Sequence, residues 1–264
     1  MPSVAFNGST DDFFLDNVAP PVYAEPMTIA CAFNGSNSVT QTSGLYAAFR
    51  LGAPRVGGDG FYSLEMNNTF EDPQPDDPSI QIIAKKSVTV GRAGPTTTTS
   101  SAVAFSIYDE TKWNLAAAVF NGDTSRTAIF GEFLSSAGIT QGSDTTSVAD
   151  PTGGAAVDQV IADLPSVAGG TGRFDGNIAW VAIWDINIKD NEMLAILAGT
   201  PPELIQGDNL LGYITLDGSN VVNPHMRGHN GTGWTFGVSA TPAAGASGPP
   251  IGMQAVENNE IVGY

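Results

Sequence analysis

The stretch FDGNIAWVAIWDINIKDNEMLAILAGTPPEL, residues 174–204, decides the fold that we predict for this chain. After a turn at Asp175-Gly176, an apolar run continues to Trp184 and predicts a strand that is covered on both faces. Apolar residues then recur at helical spacing, which predicts a short helix from about Asp190 to Ala198. Gly199 closes this helix and Pro201-Pro202 cannot continue it, so one buried strand feeds one short helix.

Alternation along the strand sorts its residues into two apolar sets, and helical spacing selects a third. One face of the strand carries Ile178, Trp180, Ala182 and Trp184. The other face carries Ala179, Val181 and Ile183. The apolar helix positions are Met193, Leu194 and Leu197. We expect all three sets to contribute to the core.

The rest of the chain has the pattern of short strands separated by tight turns. Four Asn-Gly and three Asp-Gly pairs mark these turns, and β-rich runs lie between them. We predict core strands over 27–34, 44–52 and 60–66, a hairpin over 80–85 and 88–90, and a polar turn over 95–101. Residues 102–108 and 113–120 are predicted to pair with each other, and 135–172 to form a long loop with one strand.

Four segments, in this order, resemble the laminin-G-like, concanavalin-A-like jelly-roll family. They are the opening strand and turn at 4–12, the strand at 26–33, the tryptophan-led strand at 112–122 with its hairpin partner at 127–131, and the strand–helix unit quoted above. LLGYITLD, residues 210–217, resembles an extension of phage and metagenomic members. The resemblance implies an all-β, concanavalin-A-like (laminin-G-like) jelly-roll sandwich of two antiparallel sheets with one short helix near 190–198.

The chain departs from this family at the start of the helix. Family members usually have Ser or Asp as the N-cap where this chain has Lys189, so we expect Asp190 to take that role. A sandwich with long loops fits the length of 264 residues. We therefore predict one laminin-G-like jelly-roll domain over 1–239, followed by an extended C-terminal arm over 240–264.

The charge of the chain restricts its partners. It has 27 Asp and Glu residues against 10 Lys and Arg, a net charge of −17. Phosphates would be repelled, so the charge argues against nucleic acid and against an anionic membrane surface. Docking on a basic protein surface is one interpretation of this acidity, and simple solubility is the alternative.

The single cysteine and the apolar runs bear on compartment. Cys31 lies inside an apolar strand, so it is expected to be a small core residue, and no intramolecular disulfide is possible. Neither a signal peptide nor an apolar run of transmembrane length is visible, which predicts synthesis in a host cytoplasm and no membrane insertion. A virion protein combines that origin with a β-rich surface composition, so the predicted location is the virion surface.

Candidate catalytic residues are scarce. Glucanases with concanavalin-A-like folds place paired carboxylates on one strand face, about 5 Å apart. The chain has no such Glu-x-Asp-x-x-Glu run, and the acidic strand candidates Glu65, Glu132 and Asp185 stand alone. The sequence therefore predicts a protein that is not an enzyme.

The resemblance suggests calcium as a cofactor. Laminin-G-like domains often hold Ca²⁺ at the sandwich rim through Asp side chains and loop carbonyls, because this hard cation needs several oxygen ligands. The candidate ligands are the turn residues Asp11, Asp12, Asp123 and Asp175. The alternative is that these Asp residues only form turns.

Aromatic residues are the candidates for sugar binding. Carbohydrate sites stack a sugar ring on an exposed aromatic ring beside hydrogen-bonding groups. Trp234 and Tyr62 lie in segments that can expose a ring, so they are the candidate ligand-binding residues. Trp113, Trp180 and Trp184 are better explained as core residues.

These observations leave three functional hypotheses. The first is a non-enzymatic virion surface protein of a tailed phage, a capsid decoration or fibre-type module, with glycan binding as an additional hypothesis. Its partners would be virion coat or tail proteins, further copies in a homo-oligomer and cell-surface glycans. The second is a carbohydrate-binding lectin or adhesin module assisted by calcium. The third and least favoured is a polysaccharide hydrolase.

Overall fold

The structure is a computed structural model of the whole chain. It describes residues 3–7, 13–15, 25–35, 44–51, 61–68, 79–90, 96–107, 112–122, 124–145, 159–161, 175–216, 225–226, 237–238, 243–244 and 248–249.

Strands dominate these residues. In chain order they are β1 (Val4–Asn7), β2 (Phe13–Leu15), β3 (Met27–Gly35), β4 (Gly44–Leu51), β5 (Phe61–Asn68), β6 (Ser79–Val90), β7 (Thr96–Ile107), β8 (Asn114–Phe120), β9 (Arg126–Glu132), β10 (Ile139–Asp144), β11 (Gln159–Ile161), β12 (Asp175–Trp184), β13 (Leu210–Thr215), β14 (His225–Met226), β15 (Gly237–Val238) and β16 (Ala243–Ala244). The described helices are α1 (Asp190–Leu197) and two 3-10 helices, Pro202–Leu204 and Gly207–Asn209.

The strands form two antiparallel sheets. Sheet A has nine strands in the order β10-β9-β8-β3-β12-β1-β16, with β13 pairing β12 and β14 pairing β13. Sheet B has seven strands in the order β15-β2-β11-β4-β5-β6-β7. Strands β6 and β7 pack across β8 and β9, so the sheets face each other as a sandwich. The predicted all-β sandwich of two antiparallel sheets with one short helix is confirmed.

The inner face of sheet A, which is the face toward sheet B, carries one half of the core. By alternation along β3, Ile29, Cys31 and Phe33 lie on this face, and all three are fully buried. Burial raises the pKa of the Cys31 thiol well above its ordinary value, although a hydrogen bond with the backbone of Ala116 lowers it. Cys31 is therefore a core residue, as predicted, and not an accessible nucleophile.

Strand β12 confirms the prediction of a strand buried on both faces, but one residue changes sides. The register against β3 shifts between Ile178 and Trp180, which leaves Ala179 as a bulge. Ile178 is paired with Phe33 on the inner face, whereas Trp180 is paired with Ala32 on the opposite face. The predicted shared face for Ile178 and Trp180 is wrong, because a bulge adds one residue and reverses the alternation.

Three predictions along the middle of the chain are also wrong. Residues 80–90 are not a hairpin but part of the continuous strand β6. Thr96–Ser101 belongs to β7 rather than to a turn, since consecutive β-branched residues favour extended backbone. Strand β7 pairs with β6, and β8 pairs with β3 and β9, so 102–108 and 113–120 lie in different sheets. Strand β10 was not expected inside 135–172.

The C-terminal segment contributes short strands to both sheets. Strand β15 pairs with β2 at the edge of sheet B, and β16 pairs with β1 at the edge of sheet A. The predicted arm, 240–264, therefore begins near a strand of sheet A, and most of it lies outside the described residues. Within the described part of the chain, no helix has the length and apolar character needed to cross a membrane.

Candidate functional site

The outer face of sheet A, which points away from sheet B, is covered by the segment that follows β12. We call this segment, residues 185–209, the cap. Helix α1 buries Met193, Ile196 and Leu197 against the sheet. The sheet residues in this second core are Ala30, Ala32, Leu115, Ala117, Ile129, Trp180, Ala182, Trp184 and Tyr213. The outer face of sheet A is therefore occupied by the protein itself.

One helix position departs from the prediction. Met193 and Leu197 are buried as predicted, but Leu194 is 42 % exposed, and Ile196 is buried instead. Successive helix residues are rotated by about 100°, so Leu194 turns away from the face that Met193, Ile196 and Leu197 share. The cap therefore exposes a leucine that the sequence pattern assigned to the core.

Hydrogen bonds from buried side chains fix the cap on the sheet. The Thr28 hydroxyl donates to the carbonyl of Ile186 at 2.7 Å and accepts from the N–H of Ile188 at 3.0 Å. The indole Nε1 of Trp184 donates to the carbonyl of Ile205 at 2.8 Å. These bonds satisfy polar groups that the apolar core would otherwise leave unpaired. The cap is attached at its beginning and at its end.

The start of α1 differs from the expectation that Asp190 is the N-cap. The N-cap is Lys189, whose backbone N–H donates to Glu192 Oε2 at 2.7 Å, and Gln206 Nε2 donates to Glu192 Oε1. A glutamate at the third helical position can serve the N-cap from inside the helix, so no Ser or Asp is required before it. Partial burial raises the pKa of Glu192, but the hydrogen bonds from Gln206 and Lys189 and the charge of Lys189 outweigh it and lower the pKa.

A glycine in β9 lets α1 approach the sheet. An added Cβ at Gly131 would clash with Leu197 Cδ1 and would lie 3.2 Å from the carbonyl oxygen of Gly138. Beyond it, the backbone N–H of Leu134 donates to the carbonyl of Leu197 at 3.0 Å. Leu134 has a positive φ of 60° and is 62 % exposed. The end of α1 is therefore held close to the β9–β10 connection.

The outer face of sheet B has a different chemistry. Leu64 in β5 is fully buried, so alternation places its neighbour Ser63 at a position on the outer face. Cα partners of Ser63 continue across all seven strands and define what we call the central row. From β15 to β7 the central row is Gly237, Phe14, Val160, Arg50, Ser63, Lys85 and Ser101.

The central row combines groups that recognise polar ligands. It contains two cationic residues, two serines and one phenylalanine, in a chain with only 10 Lys and Arg residues. Strands are about 4.8 Å apart, so Arg50 and Lys85, on either side of Ser63, are about 10 Å apart at the backbone. Two residues along β5 and β6, another outer-face pair joins Glu65 with Ile83, and the next joins Asn67 with Gln81. The sequence prediction missed this row because its members come from distant segments.

One of the two predicted sugar-binding residues, Tyr62, lies among the described residues. Tyr62 lies in β5, where its Cα partners are Leu51 and Lys86, so its position alternates with the central row. Trp234 lies outside the described residues. The ligand-binding roles of Tyr62 and Trp234 stay predictions.

One of the four predicted calcium ligands, Asp175, lies among the described residues. Asp175 is the first residue of β12 and is paired with Asn7 of β1. Asp11, Asp12 and Asp123 lie outside the described residues, so the calcium site stays a prediction. Over the residues whose placement is described, no group of three or more His, Cys, Asp or Glu side chains is arranged to hold a metal ion.

The acidic strand candidates do not converge. Glu65 belongs to sheet B, and Glu132 belongs to sheet A, where it is paired with the buried Asn114. Asp185 is exposed directly after β12, and its backbone N–H donates to the carbonyl of Asn209 at 3.0 Å. These three carboxylates therefore lie on three separate elements.

Comparison with known proteins gives likeness in fold. No family model and no curated protein sequence matches the chain. A solved structure named "putative carbohydrate binding protein" from Bacteroides ovatus is 13 % identical with a TM-score of 0.50, over 95 % of this chain and 62 % of that one. The sialidase module CBM40 of Ruminococcus gnavus is 11 % identical with a TM-score of 0.45, over 75 % of this chain and 97 % of that one.

A phage protein also matches in part. The enzymatically active domain of tailspike protein 2 from bacteriophage CBA120 is 13 % identical with a TM-score of 0.49, over 77 % of this chain. The chain spans only 28 % of the length of that tailspike structure. At 13 % identity the match to the Bacteroides ovatus protein shows likeness in fold alone.

Proposed function

We propose that this chain is a non-enzymatic, glycan-binding surface protein of a tailed-phage virion. The observation that carries the proposal is the difference between the two outer faces. Sheet A is closed by the cap, while the described helices pack on β10 and β13, both in sheet A. Among the described elements, the broad face with ligand-recognising positions is therefore the outer face of sheet B, which carries the central row.

The composition of the central row supports glycan binding. Sugar hydroxyls are recognised by cationic and hydroxyl side chains, and sugar rings pack on aromatic rings. Arg50, Ser63 and Lys85 supply the first two kinds of group within about 10 Å, roughly the length of one or two sugar rings. The likeness in fold to a Bacteroides ovatus protein named for carbohydrate binding is consistent with this role.

A role without catalysis fits the same surface. Glycoside hydrolysis needs two carboxylates in a fixed geometry, and the central row has none. Glu65 stands two residues further along β5, where its partners across the sheet are Ala47 and Ile83. We therefore assign the row to binding, with a polysaccharide hydrolase as the outcome that turnover of a glycan would establish.

Placement on a virion rests on the sequence. LLGYITLD resembles phage members of the jelly-roll family, and strand β13 corresponds to its first six residues. A net charge of −17 favours docking on a basic coat or tail surface over binding nucleic acid. Many copies, or a homo-oligomer, on a capsid or fibre would then present the central row to cell-surface glycans.

A glycan-binding assay of the full chain tests the first half of the proposal. The wild-type protein is applied to a library of neutral and acidic glycans, followed by Arg50→Ala and Lys85→Ala. Each variant should weaken binding by about tenfold or more, because each removes a cationic donor from the row. Lys112→Ala, at an exposed position beside sheet A, is the matched control and should bind like wild type.

The same assay separates the alternatives. Loss of binding in EDTA would support the calcium-assisted lectin, and loss in Trp234→Ala would move the site to the C-terminal segment. Glycan binding that survives both row substitutions contradicts the assignment to sheet B. Turnover of a bound glycan would contradict the non-enzymatic role.

Counting copies on the native particle tests the second half. A cryo-EM reconstruction should show the chain at high copy number on an icosahedral shell if it is a decoration protein. A few copies at a tail tip would favour a fibre-type module. Absence from every particle, with glycan binding retained, would replace the virion assignment by a lectin or adhesin.

A further inference from the structure

We infer that the cap is the surface through which this chain docks on the particle, against a protein surface that is basic and carries an apolar recess. The inference rests on the proposed virion function and names the face that attaches. It leaves the central row, on the opposite side of the sandwich, pointing away from the particle. Its evidence comes from exposed leucines, backbone strain and charge.

One exposed leucine lies on helix α1, and two lie on segments that are hydrogen-bonded to this helix. Leu134, Leu194 and Leu204 are 62 %, 42 % and 69 % exposed, and they are the large apolar residues found exposed in the part of the chain that the structure describes. Leu134 is hydrogen-bonded through its N–H to Leu197, which lies one turn after Leu194. The β9–β10 connection that carries Leu134 therefore meets the C-terminal end of α1, and Leu194 lies one turn before that point.

The third leucine lies on the other flank of the helix. Gln206, two residues after Leu204, is bonded to Glu192, whereas Gln141 of β10 is bonded to Asp190. Residues two apart on a helix point in nearly opposite directions, so β10 and the Leu204 segment lie on opposite flanks. Exposed leucines therefore lie on α1 itself and on two segments that are hydrogen-bonded to it, an arrangement suited to a shallow apolar recess on a partner.

Leu134 raises the free energy of the folded chain in two independent ways. Its φ of 60° lies in the left-handed region, where a branched side chain is disfavoured and Gly or Asn is favoured. Its side chain is also left in water. Either Asn or Gly would remove both costs, so a contact made by the leucine with a partner gives a physical reason for both.

The charge around these leucines selects the partner. The cap has five Asp and Glu residues (Asp185, Asp190, Glu192, Glu203 and Asp208) and a single Lys, Lys189. Asp185, Asp190 and Asp208 are exposed. Opposite charges around an apolar centre steer association and exclude wrong partners. A basic surface is complementary, whereas a second copy of this chain would bring two acidic caps together.

Rebinding to particles tests the inference. Particles from the source of this sequence, freed of the chain, are incubated with the purified full chain, and bound copies are measured against concentration. Leu134→Asn and Leu194→Gln should each weaken binding by about tenfold or more. Leu134→Asn should do so without loss of thermal stability, because Asn tolerates the left-handed backbone.

Matched variants and salt separate docking from folding. Thr124→Ala, at an exposed residue of the β8–β9 hairpin, should bind like wild type. Glu203→Lys and Asp208→Lys should weaken binding, and the wild-type affinity should fall as salt rises, because salt screens surface charge. Arg50→Ala should rebind fully, since the central row does not face the particle.

The outcomes distinguish the two proposals. If wild type rebinds and the leucine and charge variants rebind equally, the docking face is wrong while the virion assignment stands. If Arg50→Ala or Lys85→Ala is the variant that fails, the attaching face is sheet B, and the inference is likewise overturned. If wild type never binds the particle, both the virion assignment and the docking face are overturned.

Discussion

The outer faces of the two sheets differ in what lies on them: the cap covers that of sheet A, whereas polar and charged positions lie on that of sheet B. On sheet A, the small side chains of Ala30, Ala32 and Ala117 let the cap pack directly on the strands. On sheet B, the corresponding face carries the central row, with Arg50 and Lys85 at its middle. One face is covered by the protein itself, and the other carries the row that we propose as the glycan-binding site.

The contrast follows from the sequence patterns of the strands. In β3 and β8 nearly every residue is apolar and buried, so both faces of sheet A need cover. In β6, Ile80, Ile82 and Ala84 alternate with Gln81, Ile83 and Lys85, a pattern typical of a strand with one buried face. The number of apolar faces on a strand thus separates a structural face from a candidate binding face.

Truncation of Trp184 should give the largest effect. Trp184 is fully buried between sheet A and the cap, and its indole N–H donates a hydrogen bond to the carbonyl of Ile205. Trp184→Ala should lower the free energy of unfolding by about 3–5 kcal/mol, measured by guanidinium denaturation. Ser63→Ala in the central row should change it by less than about 0.5 kcal/mol.

One result of that pair would contradict the contrast between the two sheets. Equal costs for Trp184→Ala and Ser63→Ala would mean that sheet B is covered as tightly as sheet A. A pair of conservative substitutions, Trp184→Phe and Trp180→Phe, tests the indole hydrogen bond separately from packing. Trp184→Phe leaves the carbonyl of Ile205 unpaired, whereas the Nε1 of Trp180 has no hydrogen-bond partner to lose, so Trp180→Phe should cost less.

Substitution of Gly131 should have the next largest effect. A methyl group there would meet Leu197, so Gly131→Ala should lower the free energy of unfolding by about 1–3 kcal/mol through overpacking. Gly207→Ala is the control, because its added Cβ has open space. A double-mutant cycle with Leu197→Ala should show coupling, and additive effects would mean that α1 does not depend on this approach.

The strand–helix unit was predictable because its signals are local. The apolar run to Trp184, the helix at Asp190 and the stop at Pro201 depend on neighbours in sequence. The bulge at Ala179 was not predictable, since a bulge is decided by pairing with β3. The N-cap at Lys189 was detectable, because Glu192 stands three residues later.

The candidate binding face was harder to predict for the same reason. Phe14, Arg50 and Lys85 are far apart in sequence, and only the register of sheet B places them in one row. The polar run from Thr96 to Ser101 resembles a turn by composition, yet it pairs with β6 along its whole length. Long-range pairing therefore decides what local composition leaves open.

Acid should weaken the cap through Glu192. Its pKa is lowered in the folded protein, so its stabilisation is present above the ordinary pKa of 4.5 and is lost as the pH falls through the lowered value. Glu192→Gln should be less stable than wild type at neutral pH, by less than Gly131→Ala. The difference should close as the pH falls below 4.5 and through the lowered pKa, measured as the midpoint of thermal unfolding.

Glu203→Gln is the matched control for this pH series, since it removes the same charge from the same cap. At neutral pH its effect on the midpoint of thermal unfolding should be smaller than that of Glu192→Gln, which also alters the acceptor of the hydrogen bonds from Lys189 and Gln206. A gap for Glu192→Gln that widens in acid would contradict the lowered pKa. It would also mean that the hydrogen bonds accepted by Glu192 do not stabilise the cap.

The contact between β10 and α1 should give the smallest effect. Gln141 Nε2 donates to Asp190 Oδ1 at 2.7 Å, but both residues are exposed, so water competes for each group. A double-mutant cycle with Gln141→Ala and Asp190→Ala should give a coupling of about 0.5 kcal/mol or less in the free energy of unfolding. A coupling above about 1.5 kcal/mol would mean that this edge hydrogen bond holds the cap as strongly as buried groups do. In that case the attachment of the cap to sheet A would depend on an exposed hydrogen bond at its edge. The difference between the two sheets would then come from a surface contact rather than from the apolar faces of β3, β8 and β12.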